Sequence, residues 1–466
     1  MDFMKRGLCR ATELLKGAAS VKVITHIDAD GLSAGGIMAQ MLERQDKDFE
    51  VVAMPGVYPE NASELDGADL TIFTDIGSGQ LEILEPYFKN RDTIILDHHQ
   101  IQGEPWQGLA HVNPWLEGRD GSFEISGAGV AYLFAKEVSE ENADLSRLAV
   151  VGAVGDVQNF WGKLEGLNEA ILNDAIGSGL IAEKDVLLYG RHTRPVFKSL
   201  QYFTDPFVPD ISNNESGAIS LLQMLGIPLK DGEKWRTLTD LEKGEKRLIA
   251  DQIISRALTN VPKEVTQHVP GLVIGDVYTL PGEDDTIELK GASEFSTCLN
   301  ATGRNERYEI GLQIARGKRG AHYKELLSLL RLHRGNIARA LSFVEESGTG
   351  TGPKGYLQYF DAYDNVKPSI VGTVAGMILG TSETDPYKPM VGFAEAGSGV
   401  KVSARCSRIL ALQGINMAKS ISRAAKRFGG IGGGHTVACG AFIPERKTEE
   451  FIRVFEEDLV RQNEKK

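Results

Sequence analysis

Cysteine is scarce in this sequence, and the few that occur form no pattern. The chain has 466 residues and four cysteines, Cys9, Cys298, Cys406 and Cys439. None belongs to a Cys-x-x-Cys pair, and their spacing matches neither a disulfide framework nor a zinc site. We therefore expect free thiols in a reducing compartment, which we take to be the cytoplasm.

Long apolar runs and a surplus of basic residues are also missing. No run approaches the roughly 20 apolar residues that span a bilayer, so we expect no contact with membranes. Charged residues interrupt the apolar positions of residues 1–20, which predicts an amphipathic helix rather than a signal peptide. The formal net charge of -13 argues, taken alone, against a nucleic-acid-binding protein, because contacts with phosphate need Lys and Arg.

Two stretches nevertheless concentrate basic residues. Residues 401–427 contain seven Lys or Arg and no Asp or Glu, and residues 304–334 contain eight against three Glu. Such stretches are just as typical of solvated helix faces. What favours a phosphate-facing role for residues 401–427 is the glycine-rich motif that follows them, described below.

Short β-branched runs alternate with segments of helical spacing in the first part of the chain. Because the runs are almost continuously apolar and bounded by turn residues, they predict buried strands of a parallel sheet covered by helices. An α/β sheet of this kind binds ligands at the carboxyl ends of its strands. The predicted strands are residues 21–25, 49–54, 69–74 and 92–96.

The rest of the chain predicts a connecting region and a second α/β lobe. Residues 234–258 and 321–347 have helical patterns, residues 309–317 resemble a strand, and the glycine-rich residues 348–355 predict a flexible linker. The predicted segments are 1–190, a parallel-sheet domain; 191–350, a largely helical connector and insertion; and 351–466, a second α/β domain.

Acidic residues and histidines follow four of the apolar runs. We include residues 148–155 among these runs and interpret them as strand-like. If the runs belong to one parallel sheet, the motifs that follow them meet at one edge of it. The motif residues are His26, Asp28 and Asp30; Asp75; Asp97, His98 and His99; and Asp156.

These residue types together predict a site for two metal ions. Asp28, Asp30, Asp75 and Asp156 would place about four negative charges in a small space, where they would repel each other and any phosphate. Oxygen-rich ligation with one nitrogen, from His98, suits Mn²⁺ or Mg²⁺ better than Zn²⁺. Two such ions activate water and neutralise a scissile phosphate, and Asp75 is the natural bridge between them.

The remaining motif residues have less certain roles. A single Asp after a strand is more often a helix cap or turn residue, so the prediction depends on all four motifs together. His26 is either a further metal ligand or a group that orients Asp28. We predict that His99 contacts the phosphate or acts as an acid near the leaving group, and that Asp97 orients a histidine.

The motifs resemble the DHH phosphoesterase superfamily, which is named after the tripeptide at 97–99. Another set of residues resembles the nucleic-acid-binding DHHA1 domain that accompanies the DHH domain in RecJ-like nucleases. The resemblance implies that these residues grip a nucleic acid and that residues 401–427 face it. They are Ser403, Arg405, Gly432, Gly433, Gly434 and His435.

The resemblance also implies ligand sets and a partner. It assigns Asp28 and Asp75 to one ion, and Asp30, Asp75, His98 and Asp156 to the other. It discounts His26 as a ligand, because the order H-I-D-A-D-G departs from that of the related pyrophosphatases. Residues 293–304 look similar to archaeal RecJ-like proteins, a branch that includes nucleases bound to the GINS replication complex, and residues 191–350 are the candidate contact.

The expected function is that of a metal-dependent single-strand exonuclease acting 5′ to 3′, with DNA favoured over RNA as substrate. Two other functions stay open. One is a phosphodiesterase for short oligonucleotides or cyclic dinucleotides. The other is a non-catalytic replication scaffold, against which the complete set of acidic and histidine motifs argues.

Overall fold

The computed structural model describes residues 3–381, 383–444 and 446–464. Met1 and Asp2, which were predicted to belong to the opening helix, lie outside these residues. The strands are β1 (Ser20–His26), β2 (Asp48–Met54), β3 (Leu70–Thr74), β4 (Asp92–Leu96), β5 (Ala110–Val112), β6 (Ile181–Val186), β7 (Lys230–Asp231), β8 (Lys234–Trp235), β9 (Ile274–Thr279), β10 (Gly350–Thr351), β11 (Gln358–Asp361), β12 (Met390–Ala396), β13 (Gly399–Arg405), β14 (Ile431–Gly434) and β15 (Ala438–Ile443).

Helices make up most of the remaining regular structure, and they include the predicted opening helix. They are α1 (Phe3–Gly17), α2 (Ala29–Arg44), α3 (Leu81–Phe88), α4 (Gly127–Val138), α5 (Ser146–Gly155), α6 (Leu167–Gly177), α7 (Val196–Gln201), α8 (Glu215–Met224), α9 (Lys243–Ala257), α10 (Val269–Val273), α11 (Ala292–Arg304), α12 (Tyr308–Ala315), α13 (Ala321–Ser347), α14 (Val371–Ile378), α15 (Arg408–Leu412), α16 (Met417–Arg427) and α17 (Thr448–Glu464). In the described part of the chain, no helix is both long and apolar enough to cross a bilayer.

The chain forms two compact units, each built from two segments. The first unit comprises Met1–Asp185 and Gly275–Arg331, and the second comprises Val186–Ile274 and Leu332–Lys466. The predicted division of the chain at residues 190 and 350 remains a prediction about domains.

The first unit contains the predicted parallel sheet, with the strand order β2-β1-β3-β4-β5. All four predicted strands are confirmed, and every pairing among them is parallel. The five residues of β3 are all buried, as expected for a strand covered on both faces. The fifth strand, β5, has three residues, which is too short to give a periodic signal. The sheet therefore confirms the predicted α/β fold class.

Two predicted strands of the first unit are helices instead. Residues 148–155 lie in α5, which packs against α2 and α4, and residues 309–315 lie in α12. A short apolar run does not distinguish a buried strand from a buried helix by periodicity alone. Small residues such as Gly152 allow the helices to approach closely, since a Cβ on Gly152 would overlap the methyl group of Ala128.

The second unit contains a mixed sheet of six strands, in the order β10-β11-β12-β13-β15-β14. The predicted flexible linker was wrong, because Gly350 and Thr351 form its edge strand β10. The backbone amides of Lys354 and Tyr356 donate hydrogen bonds of 2.8 and 2.7 Å to the buried carboxylate of Glu456. A partner about 100 residues away along the chain thus orders a segment whose composition indicated flexibility.

The helical part of the second unit joins its C-terminal part through a salt bridge. Arg408 donates to both the carboxylate and the backbone carbonyl of Asp205, and Ile409 packs into the core formed by residues 186–273. The helix predicted at 234–258 is shorter than expected: it begins at Lys243, and residues 234–235 form β8. The helix predicted at 321–347 is confirmed as α13.

Candidate metal centre and nucleic-acid interface

Three of the four polar motifs lie at the carboxyl ends of β1, β3 and β4, as predicted. Asp28 caps the N-terminus of α2, where its Oδ1 accepts a hydrogen bond of 3.0 Å from the amide of Gly31. Asp75 follows β3 with φ at 57°, a conformation that Asp tolerates better than most residues. Asp156 is the exception, because it ends the helix α5 rather than a strand.

His98 lies at the centre of the cluster, with its Nε2 atom facing three carboxylates. Nε2 is 3.2 Å from Oδ1 of Asp75, 3.3 Å from Oδ2 of Asp156 and 3.7 Å from Oδ2 of Asp30. Its other nitrogen, Nδ1, lies 2.7 Å from the carbonyl oxygen of Gly121. Since that carbonyl can only accept, Nδ1 carries the proton and Nε2 offers a lone pair to the cluster, as in a metal-binding histidine.

A second set of ligand atoms shares Asp75 with the first. Nδ1 of His26 is 3.0 Å from Oδ2 of Asp28 and 3.7 Å from Oδ2 of Asp75. The groups that could hold an ion by distance include His26, Asp28 and Asp75 in one case and Asp30, His98 and Asp156 in another. Asp75 therefore lies between two candidate ion positions, and His26 occupies the place of a ligand as well as that of an orienting group.

The buried carboxylate of Asp75 shows that the cluster fits a cation. Asp75 is 2% exposed, and neither of its oxygens accepts a hydrogen bond from the residues that the structure describes. Gly127 packs directly against it, since a Cβ at that position would overlap the Asp75 side chain. The nearest groups that could offset its charge are the imidazoles of His98 and His26, and while these are neutral the buried carboxylate needs another positive partner. The surrounding oxygen-rich donors suit Mn²⁺ or Mg²⁺.

Charge repulsion perturbs the protonation of the cluster. Burial, together with the carboxylates of Asp75 and Asp156, raises the pKa of Asp30 well above its usual range. Burial lowers the pKa of His98, but the adjacent carboxylate of Asp75 and the other nearby negative charges outweigh it and raise that pKa. Metal-free protein therefore keeps protons where the negative charges crowd. Divalent cations would relieve the same repulsion.

Asp97 uses its carboxylate oxygens to fix the motif in which it lies. Oδ1 accepts hydrogen bonds of 2.8 Å from the amide of His98 and 2.8 Å from Nδ1 of His99, and Oδ2 accepts one of 2.9 Å from the amide of Ser78. Burial would raise the pKa of Asp97, but His99 and these hydrogen bonds hold it far below its usual range. His99 has a side chain that is 46% exposed, against 1% for His98.

Three amide side chains support the cluster and were missed by the sequence analysis. Asn113 donates hydrogen bonds of 2.9 Å to Oγ of Ser78 and 3.0 Å to the carbonyl of His99. It lies directly after β5, and a longer β5 would have been recognisable in the sequence and would have identified Asn113 as a residue at a strand end. Gln158 donates to the Gly121 carbonyl that also receives His98. These contacts hold the motifs in place from behind.

The third amide comes from a distant part of the chain. Oδ1 of Asn300, on α11, accepts a hydrogen bond of 3.1 Å from the amide of Ala29, between Asp28 and Asp30. The two residues are 271 positions apart, so no local pattern could have connected them. The only signal was the likeness of residues 293–304 to RecJ-like proteins.

The residue after Asp156 has a strained backbone. The amide of Val157 bonds to the carbonyl of Val154 and that of Gln158 to Ala153, which is the pairing that closes a helix with a left-handed residue. Val157 has φ at 58°, although this position usually holds glycine and disfavours a β-branched side chain. Strain of this kind is often retained next to functional groups.

Three residues of the second predicted group, Ser403, Arg405 and Gly433, lie on one face of the mixed sheet, whereas Gly432 and Gly434 alternate with Gly433 and lie on the other face. Ser403 on β13 is in register with Gly440 on β15, and Gly440 is in register with Gly433 on β14. These three residues form one row, which we call the glycine row. Arg405 lies two residues beyond Ser403 on the same face. His435 follows β14, and its amide donates to the carbonyl of Ala438.

Helices cover only half of that face. A Cβ on Gly392 of β12 would overlap side chains of Phe360 and Val371, so helix α14 and its neighbours cover the β11 and β12 side. Helix α14 also reaches β13, where Gly372 packs against Ser403 and Arg405. A Cβ on Gly433 would meet no atom within 4 Å. Within this unit and among the described residues, the β15 and β14 side of the face is therefore open.

Two cations border the open half. Lys401 and Arg405 lie on β13 on either side of Ser403, and neither has a carboxylate partner among the residues with described positions. The guanidinium of Arg405 donates instead to the carbonyls of Ala404 and Cys439. Burial, with the charge of Arg405, lowers the pKa of Lys401, and burial lowers that of Arg405. An anion at the glycine row would offset this cost of burial.

The structure divides the basic stretch 401–427 between the two faces of the sheet, and its orientation toward a nucleic acid stays a prediction. Arg408 pairs with Asp205 and joins two parts of the unit. Helix α16, which carries four of the basic residues, packs on the opposite face of the sheet, since a Cβ on Gly432 would lie 3.1 Å from the methyl group of Ala425. Only Lys401 and Arg405 share the face with the glycine row, because side chains alternate along a strand.

Three family models match successive parts of the chain. The DHH family N-terminal domain matches residues 20–154, the DHH-CID domain residues 188–269 and the DHHA1 domain residues 354–461. The uncharacterized protein MJ0831 of Methanocaldococcus jannaschii is 31% identical over 453 residues, which cover 96% of this chain and 94% of that protein. The chain belongs to the DHH superfamily. This DHH protein is thus RecJ-like, a member of a superfamily of phosphoesterases, which are hydrolases.

Solved structures share the fold of this DHH protein. RecJ from Thermus thermophilus in complex with Mn²⁺ has a TM-score of 0.59 at 18% identity, and the match covers 99% of this chain and 55% of that one. The chain thus spans about half the length of that RecJ protein. CDC45 from Entamoeba histolytica has a TM-score of 0.59 at 13% identity, with 98% of each chain covered. Such low identities establish the common fold.

Proposed function

We propose that this DHH protein is a metal-dependent exonuclease that hydrolyses the phosphodiester bonds of single-stranded DNA. The observation that carries the proposal is the buried carboxylate of Asp75, which has no hydrogen-bond donor among the described residues and lies between two sets of potential metal ligands. A RecJ fold crystallised with Mn²⁺ supports the choice of metal. Mg²⁺ suits the same oxygen-rich donors.

We assign the residues to two divalent cations as the family resemblance implies, and the distances between them support this assignment. One ion would be held by Asp28 and Asp75, with His26 beside them, and the other by Asp30, Asp75, His98 and Asp156. Ions held there would neutralise phosphate charge and make a water nucleophilic near neutral pH. Asp75 belongs to both sets and is proposed as the bridge.

The chain's own residues would orient the reactants and move a proton. Asp97 holds His99 through Nδ1, which leaves Nε2 free to meet a substrate oxygen. Burial and the charge of His98 lower the pKa of His99, but Asp97 outweighs them and raises that pKa, which favours the protonated imidazole. His99 is thus proposed to contact the phosphate and protonate the leaving oxygen. His98 is fixed by the Gly121 carbonyl, which makes it a positioned ligand.

The second unit would bind the strand. Gly433 and Gly440 let a phosphate approach the backbone, and Ser403 and Arg405 would donate hydrogen bonds to it. We also propose that Gly432 and Gly434 of strand β14, and His435 directly after it, bind the nucleic acid. An overall negative charge is compatible with this role, because the cations that matter are local.

The proposal also covers the direction of digestion and a protein partner. We expect hydrolysis from the 5′ end, and DNA to be preferred over RNA. Residues 191–350 are the proposed contact for the GINS complex, and the DHH-CID model, which matches residues 188–269, overlaps their first part. A pull-down with purified GINS tests the partner, and deletion of this segment is expected to abolish capture.

End-labelled single strands of DNA and RNA test the proposal. Strands of about 30 nucleotides exceed the site size of one binding domain and should be shortened stepwise with Mn²⁺ or Mg²⁺, and remain intact with EDTA. A length series down to dinucleotides serves as the comparison. Faster cleavage of dinucleotides would favour an oligonucleotide phosphodiesterase, and no cleavage with either metal would favour a scaffold.

A further inference from the structure

Two large apolar side chains are exposed on the open half of the mixed sheet. Ile431 on β14 is 76% exposed, the most of any large hydrophobic residue in the described chain, and Phe442 on β15 is 39% exposed. Large hydrophobic side chains rarely lie in solvent side by side without a function. Neither residue belongs to a hydrophobic core of the second unit as the structure describes it.

The strand register places these side chains next to the glycine row. Ile431 pairs with Phe442, and Phe442 pairs with Lys401, so the three form a row of their own on the same face as Gly433. The two rows are separated by two residues along each strand, which is about 7 Å. The ring of Phe442 extends over Gly399, where a Cβ would overlap it. Phe442 thus belongs to the row next to the proposed phosphate position, and its ring leans toward Gly399, on the side away from the glycine row.

The charges around this surface identify its occupant. Lys401 and Arg405 have no carboxylate partner among the described residues, and Nζ of Lys401 would lie 3.3 Å from a Cβ built on Gly440. The surface therefore combines two cations that have no carboxylate partner, the exposed ring of Phe442 and the glycine row, where two glycines leave the backbone uncovered. A nucleotide offers the complementary groups at comparable spacing, a phosphate anion beside a flat apolar base.

We propose that Ile431 and Phe442 form a stacking platform for one unpaired base of the bound strand, whose phosphate occupies the adjacent glycine row. This inference rests on the proposed function, because it requires that the face binds a nucleic acid. It adds a requirement on the substrate. A base in a duplex is already stacked and paired, so the platform selects single strands and tolerates any sequence.

Binding of strands with a single missing base tests the platform. The Asp75→Asn full-length protein, which should bind without cutting, is titrated with fluorescent DNA of about 12 nucleotides that carries one abasic site at successive positions. At one position, loss of the base should weaken binding about tenfold. In the Phe442→Ala background the same abasic strand should bind no worse than the intact strand.

Matched variants separate stacking from folding. Phe442→Tyr keeps the ring and should bind like the parent, whereas Phe442→Leu keeps apolar bulk without a ring and should lose most of the effect. Ile431→Ser changes a mostly exposed residue and should weaken binding without lowering the unfolding midpoint. Equal affinities of all variants for every strand, with clear binding by the parent, would overturn the platform.

The remaining outcomes address the other possible occupants. No binding of intact single strands by the parent would contradict the proposed function itself, a failure distinct from that of the platform. A parent that is a dimer by light scattering and becomes a monomer on Phe442→Ala or Ile431→Ser would show that a second copy covers the surface. That result would also overturn the proposal.

Discussion

The acidic cluster at the carboxyl ends of β1, β3 and β4, which we call the rim, and the open face of the mixed sheet carry opposite unbalanced charges. At the rim, Asp30, Asp75 and Asp156 crowd around His98 and lack sufficient positive charge. On the open face, Lys401 and Arg405 have no carboxylate partner among the described residues. Buried hydrogen bonds hold the side chains of the rim, whereas the open face is accessible because its central residues, Gly433 and Gly440, have no side chains. The first arrangement fits the proposed binding of cations, and the second fits the proposed binding of an anion.

The most severe test of this contrast replaces the shared carboxylate. Asp75→Asn keeps the shape and the left-handed backbone, which Asn adopts readily, but removes the negative charge. Because Asp75 belongs to both ligand sets, we expect activity to fall below a few per cent of wild type while single-strand affinity is retained. Cleavage rates measure the activity, fluorescence anisotropy with labelled DNA measures the strand affinity, and Mn²⁺ titration by calorimetry measures the binding of ions.

A matched control for that variant lies outside the cluster. Asp174→Asn alters a carboxylate that pairs with Lys136 and should leave turnover unchanged. If Asp75→Asn retained substantial turnover, or bound two ions with wild-type affinity, Asp75 would not bridge the sites.

The sequence predicted the rim well because its signals are local. Strands buried on both faces are continuous apolar runs, and β3 and β4 were found for that reason, whereas the edge strand β2 has an apolar run although most of it is not buried. Polar residues at their ends, such as Asp75 and His98, necessarily share one edge of a parallel sheet. The run before Asp156 was misread as a strand, but the residue still reaches the cluster, because α5 ends beside His98.

What the sequence could not show depends on contacts that are distant along the chain. Asn300 supports the motif at Ala29 across 271 residues. Lys401 and helix α16 lie on opposite faces of the mixed sheet. Strand pairing determines this arrangement, and the pattern of charges in the sequence does not reveal it. Composition alone made residues 401–427 look uniform, and only the alternation of side chains divides them between two faces.

Acidification should destabilise the rim through a buried imidazole. Burial lowers the pKa of His111 from 6.5 to about 4, and its Nε2 lies 2.8 Å from Oγ of Ser78, whose amide holds Asp97. The folded state therefore binds this proton less readily than the unfolded state. Stability is fully present above pH 6.5 and is lost as the pH falls toward 4, by about 3 kcal/mol from this group.

Urea unfolding in EDTA between pH 7 and pH 4 measures this loss. His111→Gln retains an amide donor for Ser78 but cannot take up a proton, so the difference in pH dependence between the two proteins isolates His111. Identical pH dependence of the two proteins would mean that His111 is not buried in its neutral form.

The open face can be tested by adding one methyl group to the glycine row. Gly433 has ordinary strand geometry, and a Cβ there meets no atom within 4 Å, so Gly433→Ala should change the free energy of unfolding by less than about 0.5 kcal/mol. The methyl group would occupy the phosphate position, and single-strand affinity should fall about tenfold. Fluorescence anisotropy with labelled DNA measures the affinity.

The adjacent glycine provides the contrast. Gly434 has φ at 125°, and a Cβ there would lie 2.8 Å from the carbonyl of Ala438, so Gly434→Ala should destabilise the fold itself. Wild-type affinity in Gly433→Ala would show that no ligand rests on the row, whereas equal destabilisation by both variants would show that the row is structural.

The smallest expected effect concerns Val157, where the rim stores backbone strain. Replacing Val157 with Gly removes a left-handed conformation that costs about 1 to 2 kcal/mol, but it adds about 1 kcal/mol of unfolded-state entropy. Val157 is 49% exposed, so little packing is lost, and a net stabilisation of about 0.5 kcal/mol should appear in urea unfolding. A loss above about 1 kcal/mol would mean that the side chain packs more than its exposure indicates. Greater stability with slower cleavage would indicate that the strained backbone positions Asp156. A more flexible helix end would hold this carboxylate less firmly beside His98.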